Sequence, residues 1–183
     1  FILTVLAGPN YSFVGTTVTP LPDFARVLDV NVVVGDAVSS SEVYGLDVTV
    51  TPVNDAPVII SQGAISINED TPREISFNDI VVSDPDNSYP TGYTLTVSPG
   101  SHYTLSGNIL TPELNYSGPL SVPVQVNDGT LNSNPFMLAI TVLPVNDKPS
   151  ITGQVPIETP EDTPVTILPA HITVLDVDNA YPA

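Results

Sequence analysis

Leu120-Ser121-Val122-Pro123-Val124-Gln125-Val126 alternates large apolar residues with small or polar ones, and Phe136-Met137-Leu138-Ala139-Ile140-Thr141-Val142 repeats the pattern after a short break. A period of two puts one set of side chains on one face of a strand, and an Asn127-Asp128-Gly129 turn between the runs suits a reversal. Two such strands, each with one apolar face, predict an antiparallel sheet packed on one side. Pro123 is awkward in this reading, because a central strand has little room for a residue without an N–H.

The same patterns occur 92 positions earlier, as Leu28, Val30, Val32, Val34 and then Tyr44, Leu46, Val48, Val50. Sliding the chain by that distance pairs residues 1–91 with 93–183 without a gap, at roughly 40 % identity. Two further stretches fix the boundaries of the repeat, Pro52-Val53-Asn54-Asp55-Ala56-Pro57 and Pro144-Val145-Asn146-Asp147-Lys148-Pro149. Their prolines fix φ and remove donors, so they read as stiff connectors. Residues 1–52 are then the C-terminal part of one repeat, 53–144 a complete repeat, and 145–183 the N-terminal part of the next.

Within the complete repeat, Val58–Ile60 and Ala64–Ile67 predict a first strand interrupted at Gly63, and Glu74–Val82 a second. Tyr93–Val97, Tyr103–Leu105 and Asn108–Leu110 follow, divided by Pro99-Gly100 and Ser106-Gly107. Counted with the last two, these seven strands predict an all-β architecture of tandem Greek-key sandwiches of immunoglobulin type, strung as a rod. The 20 prolines and 11 glycines leave little room for long helices.

Charge narrows the function. Three basic residues against 20 acidic ones give a net charge of −17, which excludes a phosphate-backbone binder and disfavours anionic membrane surfaces. No apolar run is long enough to span a bilayer, so membrane insertion is not expected. There is no cysteine, and neither a phosphate loop nor a zinc-spaced histidine pair occurs. The paired carboxylates recur with the repeat, whereas a catalytic dyad belongs in one cleft, so no enzyme is expected.

Thirteen of the 20 acids lie in the linkers, the Glu-Asp-Thr-Pro turns, the Asp-x-Asp-Asn turns and the turns at Asp36, Glu113 and Asp128. Because successive turns of a sandwich alternate ends, these acids gather where one repeat meets the next. They would repel one another without cations, and hard oxygens at that density suit calcium. The expected ligands of the first junction are Asn54, Asp55, Asp84, Asp86, Asn87 and Asp128. Those of the second are Glu69, Glu113, Asn146, Asp147, Asp176, Asp178 and Asn179. Asp70 and Asp162 suit turn amides better, His102 and His171 read as surface residues, and Tyr116, matched by Phe24, as core.

These motifs resemble those of bacterial cadherin-like tandem repeats, found in large surface adhesins. Leu110-Thr111-Pro112-Glu113 stands where cadherins carry a glutamate turn, and Asp84-Pro85-Asp86 for their Asp-x-Asp loop. Asp128-Gly129 and Val145-Asn146-Asp147 stand for the Ala-x-Asp-x-Gly loop and the Asp-x-Asn-Asp linker. The resemblance implies calcium between successive domains of an extracellular stalk at the bacterial cell surface. Two departures bear on it: Pro52 and Pro144 replace the first linker Asp, and Leu21 replaces the counterpart of Glu113, with Asp23 as the nearby substitute. The first junction is therefore expected to bind fewer ions or to bind less tightly.

The expected function is a structural stalk or fibre segment, with cell-surface glycans or proteins as possible targets. The alternative is a calcium-dependent carbohydrate-binding module using Tyr89 and Tyr181, although the chain has no Trp. The ends add one expectation. Tyr181-Pro182-Ala183 followed by Phe1-Ile2-Leu3 nearly recreates Tyr89–Leu95, so 145–183 of one copy would complete 1–52 of another copy or of an adjoining repeat, head-to-tail.

Overall fold

The computed structural model describes residues 1–181; Pro182 and Ala183, and the expectation resting on them, lie outside the described residues. The protein is all-β, built from short strands. Its chain divides into two compact units, one of residues 1–60, 82–94 and 126–134, the other of 61–81, 95–125 and 135–183. Each unit groups a linker with the loops of the following repeat that receive it.

In the first unit, β1 (Ile2–Val5), β4 (Val27–Gly35) and β5 (Tyr44–Thr49) form an antiparallel sheet in the order β1-β4-β5, and β2 (Tyr11–Val14) pairs with β3 (Thr17–Pro20). Val5, Tyr11, Leu28, Val30 and Val32 make the core, with Val18, Phe24 and Val50 packed against it. Alternation correctly places the apolar face of β4 at Leu28, Val30 and Val32, whereas Val34, near the end of the strand, is exposed. On β5 it does not produce burial, since Tyr44, Leu46 and Val48 are 67, 42 and 43 % exposed. Among the described residues, no strand pairs with the far edge of β5.

The complete repeat runs through β6 (Val58–Gln62), β7 (Ile65–Asn68), β8 (Arg73–Glu74), β9 (Ile80–Ser83), β10 (Thr94–Val97), β11 (Tyr103–Ser106), β12 (Ile109–Pro112), β13 (Gly118–Asn127) and β14 (Phe136–Leu143). Its main sheet has the order β10-β13-β14-β7, its second β11-β12-β8, and β6 pairs with β9. β7 runs parallel to β14, with Ile65 opposite Ile140 and Ile67 opposite Val142. Leu110, Leu120, Val122, Leu138 and Ile140 are at most 4 % exposed. At about 1.5–3 kcal/mol for each large apolar side chain removed from water, such residues supply the main drive for this fold. Pro123 is accommodated because N and C=O of one strand residue point to the same side. Its carbonyl accepts from Ser98 N (2.8 Å), just past the end of β10, so the missing donor falls where pairing stops.

The predicted second strand is broken. After β8 the chain makes a 3₁₀ turn, Phe77–Asp79, before β9. Ser76 Oγ accepts from Asn78 N, while Ser76 N donates to Asp79 Oδ2, a reciprocal cap that competes with strand pairing. Asp79 is buried and ion-paired to Arg73.

In 145–181, β15 (Ser150–Gln154) pairs with β16 (Ile172–Leu175), repeating β6 with β9. The counterparts of β7 and β8 form no strand, and prolines stand at 156 and 160 where the complete repeat has Ala64 and Asn68.

A tyrosine anchor recurs in both units. Tyr11 Oη donates to Leu6 O (2.6 Å) and Tyr103 Oη to Ser98 O (2.7 Å), each five residues back. A Cβ on Gly8 or Gly100 would lie 2.7 or 2.6 Å from the hydroxyl, which explains the glycine at both positions. Tyr116, expected in the core, is instead partly exposed; its ring stacks on His102 and its hydroxyl donates to Pro119 O (2.9 Å).

Candidate functional site

Both linkers lie against the Asp-x-Asp-Asn loop of the repeat that follows, and local hydrogen bonds shape each loop in the same way. Asp84 Oδ1 accepts from the backbone N of Asp86 (2.8 Å) and Asn87 (2.9 Å). Asp176 Oδ1 does so from Asp178 (3.0 Å) and Asn179 (2.9 Å). Such Asx turns aim the second aspartate at the linker. Asp86 Oδ2 accepts from Asp55 N (2.7 Å), and Asp178 Oδ2 from Asp147 N (2.5 Å). The linker asparagine closes the set, since Asn54 Oδ1 accepts from Asn87 Nδ2 (2.9 Å) and Asn146 Oδ1 from Asn179 Nδ2 (3.3 Å).

At the first linker, Asn54 Nδ2 also donates to Asp128 Oδ2 (2.9 Å). That bond, with the amides of Leu131 and Thr130, holds the Asp128 carboxyl below the usual aspartate range. Asp36, the counterpart of Asp128, is lowered by the equivalent amides of Val38 and Ser39. Desolvation acts on Asp84, but the Tyr93 hydroxyl and the amides of Asp86 and Asn87 outweigh it and leave its carboxyl lowered. Asp55 goes the other way. Desolvation pushes it up, followed by the charges of Asp23 and Asp86, a hydrogen bond with Asp23, and the charge of Asp84. Asp23 thus faces the linker, on a backbone held at φ 59°.

At the second linker, Glu69 is buried and its Oε1 accepts from Val145 N (2.6 Å). Asp70 takes a turn amide, Asn115 N (2.9 Å), as its position suggests. Desolvation raises the Asp147 carboxyl, and the charges of Asp178, Asp70, Glu69 and Asp176 add to it. Asp147 Oδ2 is buried without a hydrogen-bond partner. Glu113 is drawn elsewhere: its Oε2 lies 3.0 Å from His102 Nδ1, and both side chains are more than half exposed. His102 is therefore a partner of Glu113 and of Tyr116, a role sequence reading missed because its counterpart in the other repeat is Asn10.

A calcium ion fits this chemistry. The donors are hard oxygens, the linker carboxylates repel their neighbours, and Asp147 Oδ2 is a desolvated oxygen lacking a donor. Among the described residues, no three His, Cys, Asp or Glu side chains converge into a group that could hold a metal. One oxygen each of Asp84, Asp176 and Asp128 is committed to its own turn amides. Asparagine and carbonyl oxygens would have to complete any coordination sphere.

Residues 54–141 match the family model described as a bacterial Ig domain. The whole chain is also similar to mouse (Mus musculus) cadherin-related family member 3, at 30 % identity over 198 residues, covering 98 % of this chain and 23 % of that protein. The chain thus spans about a quarter of the length of that relative. Among solved structures it is similar to protocadherin gammaB7 EC3-6, described as a cis-dimer, at 13 % identity and a TM-score of 0.49, covering 98 % of this chain and 51 % of that one. It is likewise similar to human CDH23 EC21-23, at 18 % identity and a TM-score of 0.47, covering 98 % and 69 %. The all-β fold, the family match over residues 54–141 and the sequence match over nearly all the chain support a cadherin-like, Ig-like repeat domain.

Proposed function

We propose that this chain is a structural segment of an extracellular, adhesin-type stalk at the bacterial cell surface, with calcium stiffening the linkers between its repeats. The observation that carries the reading is Asp147 Oδ2, buried, unpartnered and repelled by the charges of Asp178, Asp70, Glu69 and Asp176. Glu69, Asn146, Asp147, Asp176, Asp178 and Asn179 would hold the ion at the second linker; Asn54, Asp55, Asp84, Asp86, Asn87 and Asp128 would hold it at the first. Bound calcium supplies positive charge that offsets the carboxylate repulsion. The domains are read as 1–52, 53–144 and 145–183, continued head-to-tail by copies of the chain or by adjoining repeats, and no catalytic role is proposed. The carbohydrate reading is less supported, because Tyr89 packs its ring against Tyr93 (centroids 5.3 Å apart) instead of forming an open platform.

Extracellular calcium modules bind at about 10⁻⁴–10⁻³ M. Calorimetric titration should show binding in that range, and Asp176→Ala with Asp178→Ala should remove the second linker's share of the stoichiometry while the central repeat stays folded. Unchanged stoichiometry in that double variant would refute the assignment.

A further inference from the structure

We infer that Tyr93 is a positioning residue for the cation site of the first linker, its hydroxyl fixing the orientation in which Asp84 can bind an ion. This inference rests on the calcium reading and adds to it a group that is not itself a ligand.

Tyr93 is 7 % exposed, and its hydroxyl donates to Asp84 Oδ2 at 2.5 Å. Its ring meets Tyr89 edge-on, at an interplanar angle of 81°. Asp84 Oδ1 already accepts the amides of Asp86 and Asn87. The carboxylate is thus held at three points, and the backbone amides alone would leave Oδ2 free to swing. A hydroxyl that uses one lone pair of Oδ2 leaves the other for a cation, and outer-shell donors of this kind set the direction of metal ligands.

The residue in register with Tyr93 in the first repeat is Phe1, which has no hydroxyl. The hydroxyl is therefore a property of this repeat and not of every copy.

The test uses the full chain carrying Asp176→Ala and Asp178→Ala, so that the first linker is the site read. Calcium is titrated by calorimetry into this parent and into the same chain with Tyr93→Phe, and each melting temperature is measured with chelator and with calcium. Phenylalanine keeps the ring and its packing on Tyr89. The expected result is calcium binding weakened about tenfold, the lower end of what losing an outer-shell partner costs. The melting shift produced by calcium should shrink accordingly. A merely structural tyrosine would lower both melting temperatures equally and leave the affinity unchanged, which overturns the inference. A parent chain that binds no calcium at millimolar concentration overturns the calcium reading itself, and this inference with it.

Discussion

Leu138 and Leu46 are the same residue of the repeat, yet Leu138 is fully buried and Leu46 is 42 % exposed. Their strands, β14 and β5, have the same neighbours on one side: β10-β13-β14 in one sheet, β1-β4-β5 in the other. The difference is β7, which pairs in parallel with β14 and has no counterpart beside β5 among the described residues. Ile75 and Ile167 differ in the same way, at 1 % and 63 % exposed. The comparison separates two things that alternation in a sequence merges. A strand forms from its own pattern and its hairpin partner, whereas burial of its apolar face requires the segment that covers it.

The largest expected effect tests that separation directly. Leu138→Ala should destabilise the complete repeat by about 2–5 kcal/mol, the range for emptying a tightly packed leucine site, and Leu46→Ala by under about 1 kcal/mol. Denaturant unfolding of the two variants measures both, and equal losses would break the comparison.

A second pair of substitutions should behave alike in the two regions, because the tyrosine anchor is complete in each. Gly100→Ala and Gly8→Ala both drive a Cβ to within 2.7 Å of a tyrosine hydroxyl. Each should cost about 1–3 kcal/mol as an overpacked contact, and unfolding curves for the pair should shift by similar amounts.

The smallest effect contrasts the acids of the linkers with those of the loops. Asp55 and Asp147 are raised above 3.8, so without cations the folded state takes up their protons first and is stabilised as pH falls from neutral toward 3.8. Asp36, Asp84 and Asp128 are lowered, so the stability they contribute is present above 3.8 and is lost below it. Melting temperature in chelator should therefore pass through a shallow maximum on the acid side. Calcium should flatten the rise on its neutral side, and a monotonic fall from neutral pH in chelator would contradict the placement of the linker acids.

The repeat and the alternation of 120–126 and 136–142 made the sheet legible, because both depend on the chain alone. So did the linker acids, since two copies in register point to one role. The break in the second strand was missed, although Ser76 and Asp79 stand at capping-box spacing before Ile80, because the apolar alternation of Glu74–Val82 outweighed that local signal. The recurrence of Tyr11 with Gly8 and of Tyr103 with Gly100 was the better signal for a buried tyrosine than Tyr116. What could not be read was pairing outside the repeat. Glu113 turns to His102 where the register offers Leu21 and Asn10, and Tyr93 reaches Asp84 where the register offers Phe1.

The central claim, that calcium stiffens the linkers, is tested most directly by small-angle X-ray scattering of the full chain in millimolar calcium and in chelator. The account predicts a flexible, broadened distance distribution in chelator and a narrower, more extended one in calcium, with protease cleavage at Asn54-Asp55 and Asn146-Asp147 suppressed in parallel. Superimposable profiles in the two conditions would contradict it.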